Sequence, residues 1–525
     1  MRAIDYFDKG AEANLDRTAI IAADASWSYR EMRAATENIA RALRASGLRD
    51  QEPAGIYSHN DARVLCCMLG IMRAGAVWVP INYRNAIDAN IEYMNYAEMA
   101  WLFYHSQFRG SVREIKQRVP SLRGVICLDR EDDEHPSLQT FMERGTDGKV
   151  PDWPDWGDAY GNPERLAGLV PTGGTTGPAK GVRVTNLAFG TMAEMATHYW
   201  RGDVEHPVCL NTAPLSHAAG VLAFVMCSLG ATNVIMPKFD ALEVLRNIER
   251  YRVTHLYLPP TALYNLLAHP EVRNFEYSSL RGFLLAGSPV APDKLRKAVE
   301  VFGPCMCQSY GQTEAPMILT FLDSNTIAAA AAGVHPERLA SCGQPTLAVR
   351  LAIMDDSGRI LPAGERGEIV ARGSLVCGGY YKMPEATAEI RAHGWHHTGD
   401  VGYMDEEGYV YIVDRKKDMI ISGGFNVYCA EVEAAVMALP EVHECAVIGV
   451  PHDNWGEAVK AFVVLRPGAS LSEAAVISHC KHKLGGVKAP KSIEFCDEIP
   501  KTAAGKIDRK KMRARYWGHA ERQVH

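Results

Sequence analysis

The segment GLVPTGGTTGPAKGV, Gly168 to Val182, combines residue types and spacing suited to holding an anion. An apolar run from Leu166 to Val170 leads into Thr172, Gly173, Gly174, Thr175, Thr176 and Gly177, then to Lys180 and Gly181. Glycines let successive backbone N–H groups turn the same way and approach a charge closely. Thr172, Thr175 and Thr176 add hydroxyl donors, and Lys180 adds a positive charge. A polyphosphate needs these groups. The register is not that of the G-x4-G-K-[ST] loop, and a flexible Gly/Thr turn would read the same way in isolation.

Four more segments concentrate polar chemistry: SYGQTE (Ser309 to Glu314), WHHTGD (Trp395 to Asp400), DRKKDMIISGGFNVYCAEVE (Asp414 to Glu433) and PKTAAGKIDRKKMR (Pro500 to Arg513). Singly, each has a plain reading. A loop glutamate or a lysine near a terminus is normally solvated. In order and spacing, however, the five segments resemble the motif series of the adenylate-forming superfamily. That superfamily contains acyl- and aryl-CoA synthetases, peptide-synthetase adenylation domains and firefly luciferase. The resemblance spans nearly the whole chain, from Trp27-Ser28-Tyr29 and AGAVWVPIN (Ala74 to Asn82) to the last lysine motif.

The resemblance implies an acyl-CoA synthetase working in two half-reactions. An acid and Mg-ATP give an acyl-adenylate and pyrophosphate; the thiol of coenzyme A then displaces AMP. By similarity, Thr172 to Lys180 closes over the β- and γ-phosphates. Thr313 contacts the α-phosphate, and Glu314 offers Mg²⁺ a hard oxygen ligand. Asp400 faces the two ribose hydroxyls, a geometry suited to a carboxylate acceptor, with Arg415 on the same ribose. Gly287, Ser288 and Pro289, with Gln308, Ser309, Tyr310 and Gly311, form the adenine slot, and Tyr310 stacks on the base. Lys506 matches the catalytic lysine, whose ammonium bridges the acyl carboxylate and the α-phosphate as charge builds up. Lys417 matches the hinge of a rotating C-terminal domain. Rotation withdraws Lys506 and presents Gly423, Gly424 and Phe425 to a pantetheine channel. His217, in APLSHAAG, matches a histidine or aromatic position beside the acyl pocket and is assigned a gating role. Asp414 and Lys416 are read as solvated charges.

Two motifs depart from the family pattern. In the phosphate loop, Gly173 stands where serine is usual, and Ala179-Lys180 replaces a Pro-Lys step, with Pro178 displaced by one. Cys429 stands where proline often starts a helix, so some rigidity is expected to be lost there. The alternative function is an adenylation enzyme acting on an amino acid with a carrier protein. Such domains place an aspartate just after the His217 position; here Ala218 and Ala219 follow, and no carrier attachment motif follows Lys506. A luciferase-like oxygenase and a non-catalytic binding protein are weaker readings, the latter because Lys506, Glu314 and Asp400 are all present.

The resemblance puts the acyl pocket near His217 to Val221, Leu284 to Gly287 and Ser309 to Pro316. Ala218, Ala219, Gly220, Ala286, Gly287 and Ala315 are small and uncharged, with Met317 and Ile318 beyond. An apolar monocarboxylic acid fits: medium-chain, branched, aromatic or alicyclic. The same small residues would also serve to pack a sheet.

The elements that must position these groups are legible in outline. From Pro207 to Gly303 short apolar runs (VCLNTAPL, TNVIMP, HLYLPP, GFLLAG) alternate with helical spacing at Ala218 to Leu229, Leu242 to Tyr251, Leu263 to Ala268 and Leu295 to Phe302. Strands alternating with helices predict a largely parallel α/β sheet. After Ala340 the texture turns β-rich, with a hairpin expected across Glu406-Glu407-Gly408. Beyond DRKKD lie a helix with Val432, Val436 and Leu439 on one face, strands CAVIGV and KAFVVL, a helix through His479 to Leu484, and strand SIEF. The expected organisation is an AMP-binding N-terminal domain over 1–415, with a β-rich subdomain at about 340–415. A small mobile α+β lid over 416–525 carries the catalytic lysine. Asp132 to Pro163 reads as irregular connection.

Length and composition bound the rest. At 525 residues the chain exceeds one ordinary core. A net charge of −6 gives no basic surface for nucleic acid or a membrane. The first residues, with early acids and no apolar core, are not expected to act as a signal or transit peptide, and the apolar stretch Ala218 to Met236 is interrupted by Ser228, Thr232 and Asn233, which predicts a buried helix and strand. Thirteen cysteines without a CxxC pair or zinc spacing predict buried thiols in a reducing, cytoplasmic setting. Expected partners are the acid, ATP and coenzyme A; a homodimer is left open.

Overall fold

The computed structural model describes residues 1–23, 25–145, 162–172, 179–216, 218–423, 425–452, 455–502 and 507–517. They fall into two compact units. One comprises Met1–Thr172, Pro178–Leu351 and Ala371–His396; the other is chiefly Ala352–Val370 and His397–His525.

In the first unit, β1 (Thr18–Ile21) and β2 (Ser26–Ser28) form a hairpin. β3 (Pro53–Tyr57), β4 (Val77–Pro80), β5 (Trp101–Tyr104), β6 (Gly124–Cys127), β7 (Leu166–Pro171) and β8 (Gly181–Thr185) make a six-stranded sheet ordered β6-β5-β3-β4-β7-β8. Helices Ala62–Arg73, Ile87–Tyr96 and Arg109–Arg118 make the crossovers that parallel strands require. β4 and β5 are buried at every position, as expected for strands covered on both faces. β7 and β8 instead run antiparallel, as a hairpin.

A nine-stranded sheet follows. β9 (Val208–Asn211), β10 (Thr232–Ile235), β11 (His255–Leu258), β12 (Gly282–Leu285) and β13 (Met306–Tyr310) are parallel; β14 (Thr320–Leu322) and β15 (Gln344–Pro345) continue antiparallel. The order is β15-β14-β13-β12-β11-β9-β10-β1-β2. The connecting helices are Ala218–Ser228, Ala241–Arg250, Pro260–Ala268 and Pro292–Phe302, as the alternating pattern predicts. Pro260 and Pro292 open theirs, where a missing N–H does no harm. The apolar stretch Ala218 to Met236 is thus a buried helix and strand. Among the described residues no helix is long and apolar enough to cross a membrane.

The segment read as irregular between Asp132 and Pro163 contains a helix, Leu138–Glu143. The Ser137 hydroxyl caps it by accepting the Thr140 N–H. The surrounding Asp, Pro and Gly residues masked that short signal; residues 146–161 lie outside the described chain.

Between 349 and 415 the chain forms a four-stranded sheet of β16 (Val349–Met354), β17 (Gly367–Gly373), β18 (His396–Met404) and β19 (Val410–Arg415). The expected hairpin joins β18 to β19, with Gly408 at φ +83° in its turn. In the second unit, β20 (Ile420–Ser422), β21 (Phe425–Val427), β22 (Val442–His452), β23 (Gly456–Leu465) and β24 (Ser492–Phe495) form a five-stranded sheet. Helices Cys429–Met437 and Glu473–Lys488 pack on it. Val432 and Val436 enter the core with Val447, Val459, Val476 and Cys480, and Leu439 packs at its margin.

Candidate active site

The nine-stranded sheet reverses direction at β9: β10 lies on one side, β11 to β13 on the other. In open α/β sheets the crevice outside the carboxyl ends at such a switch point is where ligands bind. The segments following β9, β12 and β13 therefore share one edge, and the residues predicted for the adenine slot, Gly287 to Pro289 and Gln308 to Gly311, lie at it. Gly287 sits at φ +92° in the exposed loop after β12, with Ser288 and Pro289. Gln308, Ser309 and Tyr310 end β13 and are buried. After β9, Asn60 pins the chain: its amide donates to the Ala213 carbonyl at 2.9 Å, and its carbonyl accepts the Leu215 N–H at 2.8 Å. His217 itself lies outside the described residues.

The turn after β13 leaves no room for a side chain at Gly311. A Cβ there would stand 2.6 Å from the Met317 carbonyl carbon, and Met317 is itself left-handed at φ +62°. The Gln312 N–H closes the turn on the Ala315 carbonyl at 3.0 Å. Thr313 and Glu314 ride on it. Its other braces are the Cys377 thiol, which donates to the Thr313 carbonyl at 3.6 Å, and the Cys377 N–H, which donates to the Glu314 carbonyl at 2.8 Å. His396 Nε2 lies 3.2 Å from Gln312 Oε1.

The Gly/Thr segment connects the β7–β8 hairpin. At its ends the Thr172 N–H donates to the Lys180 carbonyl at 2.9 Å; Gly173, Gly174, Thr175, Thr176 and Gly177 lie outside the described residues. Lys180 Nζ stands 4.8 Å from the centroid of the Tyr380 ring, within cation–π range. Tyr380 Oη donates to Glu314 Oε1 at 2.7 Å. Tyr380 is held there because its segment adds to the edge of β8: the Arg183 N–H donates to Gly379 at 2.9 Å and the Tyr381 N–H to Gly181 at 2.8 Å. Burial, then the Glu314 charge, raises the Tyr380 phenol pKa well above its usual value, so the hydroxyl stays a donor. Tyr380 and Cys377 were missed in the sequence; the only hint was the Gly378-Gly379-Tyr380-Tyr381 run.

In the second unit, Asp400 and Arg415 are cross-strand partners on β18 and β19. Arg415 Nε meets Asp400 Oδ1 at 2.6 Å, with the carboxylate buried and the guanidinium half-exposed. Glu368 braces the turn before Asp400, accepting the Gly399 N–H at 3.0 Å and lying 3.1 Å from His397 Nδ1. Burial would raise the Glu368 pKa, but His397 and Lys416 outweigh it and hold the carboxyl below its usual value. Lys417 is pushed down by burial and then by the Arg415 charge. Gly423 at φ +58° packs against Trp455, and Phe425 is 60% exposed. Gly424 and Lys506 lie outside the described residues. The segments on either side of residues 503–506 meet through an isolated bridge between Lys501 and Ile507, and the Asp508 N–H donates to the Pro500 carbonyl at 2.8 Å.

Of the two charges expected to be solvated, Asp414 is not, whereas Lys416 stays half-exposed. Asp414 is 8% exposed and accepts the N–H groups of Arg415, at 2.7 Å, and of Cys429. Lys416 Nζ pairs with Asp356 at 2.7 Å and Glu368 at 3.2 Å. The Asp414 side chain turns inward to the start of a helix 15 residues away in sequence, which local charge density cannot reveal. The Cys429 N–H that proline would lack is the donor that satisfies Asp414, so this departure ties the start of helix Cys429–Met437 to β19.

No group of three or more His, Cys, Asp or Glu able to hold a metal occurs among the described residues. A single carboxylate at Glu314 beside Lys180 suits an ion that takes one or two carboxylates and otherwise binds substrate phosphates, as Mg²⁺ does.

The AMP-binding enzyme model matches residues 7–381, and the AMP-binding enzyme C-terminal domain matches residues 431–506. The medium/long-chain-fatty-acid–CoA ligase FadD8 of Mycobacterium tuberculosis is 42% identical over 370 residues, covering 69% of this chain and 63% of that protein, less than two thirds of its length. A feruloyl-CoA synthase of an Amycolatopsis species is 34% identical over 507 residues, 95% of this chain and 96% of that one. The amide bond synthetase McbA of Marinactinospora thermotolerans matches with a TM-score of 0.88 at 29% identity, over 98% of this chain and 100% of that one. With the AMP-binding enzyme model matching residues 7–381 and its C-terminal domain model following at 431–506, this chain belongs to the AMP-binding enzyme family of the adenylate-forming superfamily.

Proposed function

We propose that the chain is an AMP-forming acyl-CoA synthetase that activates an apolar monocarboxylic acid as its adenylate and passes the acyl group to coenzyme A. The observation that carries this reading is the contact of Lys180, Tyr380 and Glu314, with Lys180 ending the Gly/Thr segment in sequence. A cation, a phenol and a carboxylate held together are groups that a polyphosphate and its counter-ion could use. The names of the fatty-acid and feruloyl ligases support the thioester product and an apolar acid.

In the first half-reaction a carboxylate oxygen of the acid attacks the α-phosphorus of ATP, and pyrophosphate leaves. Thr172 to Lys180 hold the β- and γ-phosphates, and Thr313 contacts the α-phosphate. Glu314 holds Mg²⁺, which when bound neutralises phosphate charge. Lys506 stabilises the charge shared by the acid and the α-phosphate in the transition state. Asp400 and Arg415 take the ribose, and Gly287 to Pro289 with Gln308 to Gly311 take the adenine. In the second half-reaction the thiol sulfur attacks the acyl carbon, and AMP departs with the bonding electrons. Lys417 serves as the hinge between the two steps, with the boundary at 415/416; Gly423, Gly424 and Phe425 line the thiol's approach, and His217 gates the acyl side. A reducing, cytoplasmic setting suits the free thiols, all buried except Cys496.

The test is a panel of straight, branched, aromatic and alicyclic acids assayed for AMP formation dependent on both ATP and coenzyme A. AMP released with an amine acceptor but not with coenzyme A would overturn the proposal.

A further inference from the structure

The strand register decides which side chains form the floor beneath the switch-point edge. Cross-strand partners point to the same face of a sheet. His255 pairs with Cys209 and Gly282, Tyr257 with Leu284, and Leu284 with Cys307. Tyr257, Leu284 and Cys307 therefore share one face, joined two residues further along by Ala286 and Ser309. Helices Asn186–Trp200 and Ala218–Ser228 cover this face. The His255 ring stands edge-on to Trp200 at 5.2 Å, and Asn233, partner of Cys209, donates to Cys227 Sγ at 3.3 Å. The start of the second helix, Ala218 and Ala219, thus overlooks the same floor that Ala286 and Gly287 border.

Most of that floor is apolar, but two hydroxyls on it have no hydrogen-bond partner among the described residues. Ser309 Oγ is fully buried and unpaired. Tyr257 Oη, the larger, reaches to 3.8 Å from where a Cβ on Gly287 would stand. Its neighbours Leu256 and Leu258 are sealed, whereas Tyr257 keeps partial access. Burial alone pushes the phenol up to about 12, so it is a neutral donor at working pH. Unlike Ser309 Oγ, the Tyr257 hydroxyl is not sealed off, so a bound group can reach it from the open side beside Gly287. A phenylalanine would fill the same space and offer no donor there.

We propose that Tyr257 is the polar anchor of the acyl pocket, its hydroxyl hydrogen-bonding an oxygen on the acyl group remote from the reacting carboxylate. The substrate class is then an apolar monocarboxylic acid bearing a distal hydroxyl or keto oxygen, rather than a plain hydrocarbon acid. This rests on the acyl-CoA synthetase reading and narrows it.

The experiment compares kcat/KM for two acids of equal length, one plain and one with a hydroxyl or keto oxygen at the far end, in wild type and Tyr257→Phe. Wild type is expected to prefer the oxygenated acid by several-fold to about tenfold, the scale of one neutral hydrogen bond. Tyr257→Phe is expected to lose that preference while handling the plain acid as before, which also shows that the variant folds. Equal loss on both acids, or an unchanged preference, overturns the Tyr257 assignment alone. Absence of AMP from wild type with every acid of the wider panel overturns the synthetase reading, and this proposal with it.

Discussion

Tyr380 Oη donates to Glu314 Oε1 at 2.7 Å while Lys180 Nζ lies 4.8 Å from the centroid of the same ring. One side chain thereby sets the spacing between the site's carboxylate and its loop lysine. Tyr380→Phe keeps the ring under Lys180 and deletes only the bond to Glu314. A hydrogen bond to a charged group contributes roughly 1.5–3 kcal/mol. We expect kcat/KM for Mg-ATP to fall by about tenfold to a hundredfold in ATP–pyrophosphate exchange, with a raised Mg²⁺ requirement. Tyr380→Leu, which also removes the ring, should be worse.

Gly311→Ala tests the turn that carries Thr313 and Glu314. The new methyl would stand 2.6 Å from Met317 backbone, which cannot rotate away as a side chain could. Overpacking of this kind costs about 1–3 kcal/mol. The expected outcome is a melting temperature lowered by a few degrees and a larger, at least tenfold, drop in pyrophosphate exchange. A variant with lowered stability and normal exchange would show that the turn plays no part in nucleotide handling.

Lys506→Ala separates the half-reactions. Adenylate formation should drop by a factor of about a hundred or more, the usual scale for losing a preorganised charge at a transition state. Conversion of supplied acyl-AMP to the thioester should persist near the wild-type rate. Stopped-flow assays of each half-reaction make the comparison, and parallel loss of both would contradict a lysine used only in the first.

Asp414 makes the stability of the second unit depend on pH. Burial pushes its carboxyl up to about 6, helped by Glu433 and Asp418 and opposed by the Arg415 N–H and Arg509. The folded state therefore binds a proton more tightly than the unfolded chain does. The resulting stabilisation is complete below the unfolded value of 3.8 and is lost as pH rises through about 6. About two pKa units correspond to roughly 3 kcal/mol. Asp414→Asn should thus melt closest to wild type at pH 4.5 and gain on it by pH 7.5. Differential scanning calorimetry across that range would show a constant difference if Asp414 does not titrate.

The parallel block from β9 to β13 was legible because its strands are short apolar runs separated by helices of strong spacing, such as Ala241–Arg250 with its Asp240 cap. The helix Leu138–Glu143 was not, because six residues beside Asp and Pro carry too little periodicity. Glu314, Lys180, Asp400 and Arg415 stood out through motif order, yet their partners did not. Tyr380 lies 66 residues from the glutamate it contacts, and Glu368 lies 31 residues from the turn it braces.

What the sequence by itself determined was the superfamily, the α/β class and the chemical types at the site, since motif order, apolar spacing and glycine placement are properties of the chain read in one dimension. Only the tertiary structure decided that Tyr380 spaces Glu314 from Lys180, that Asp414 is buried against Cys429, and that Tyr257 stands on the floor beside Gly287. Those are matters of strand register and of edges meeting across long sequence separations, where a shift of one residue turns a side chain to the opposite face.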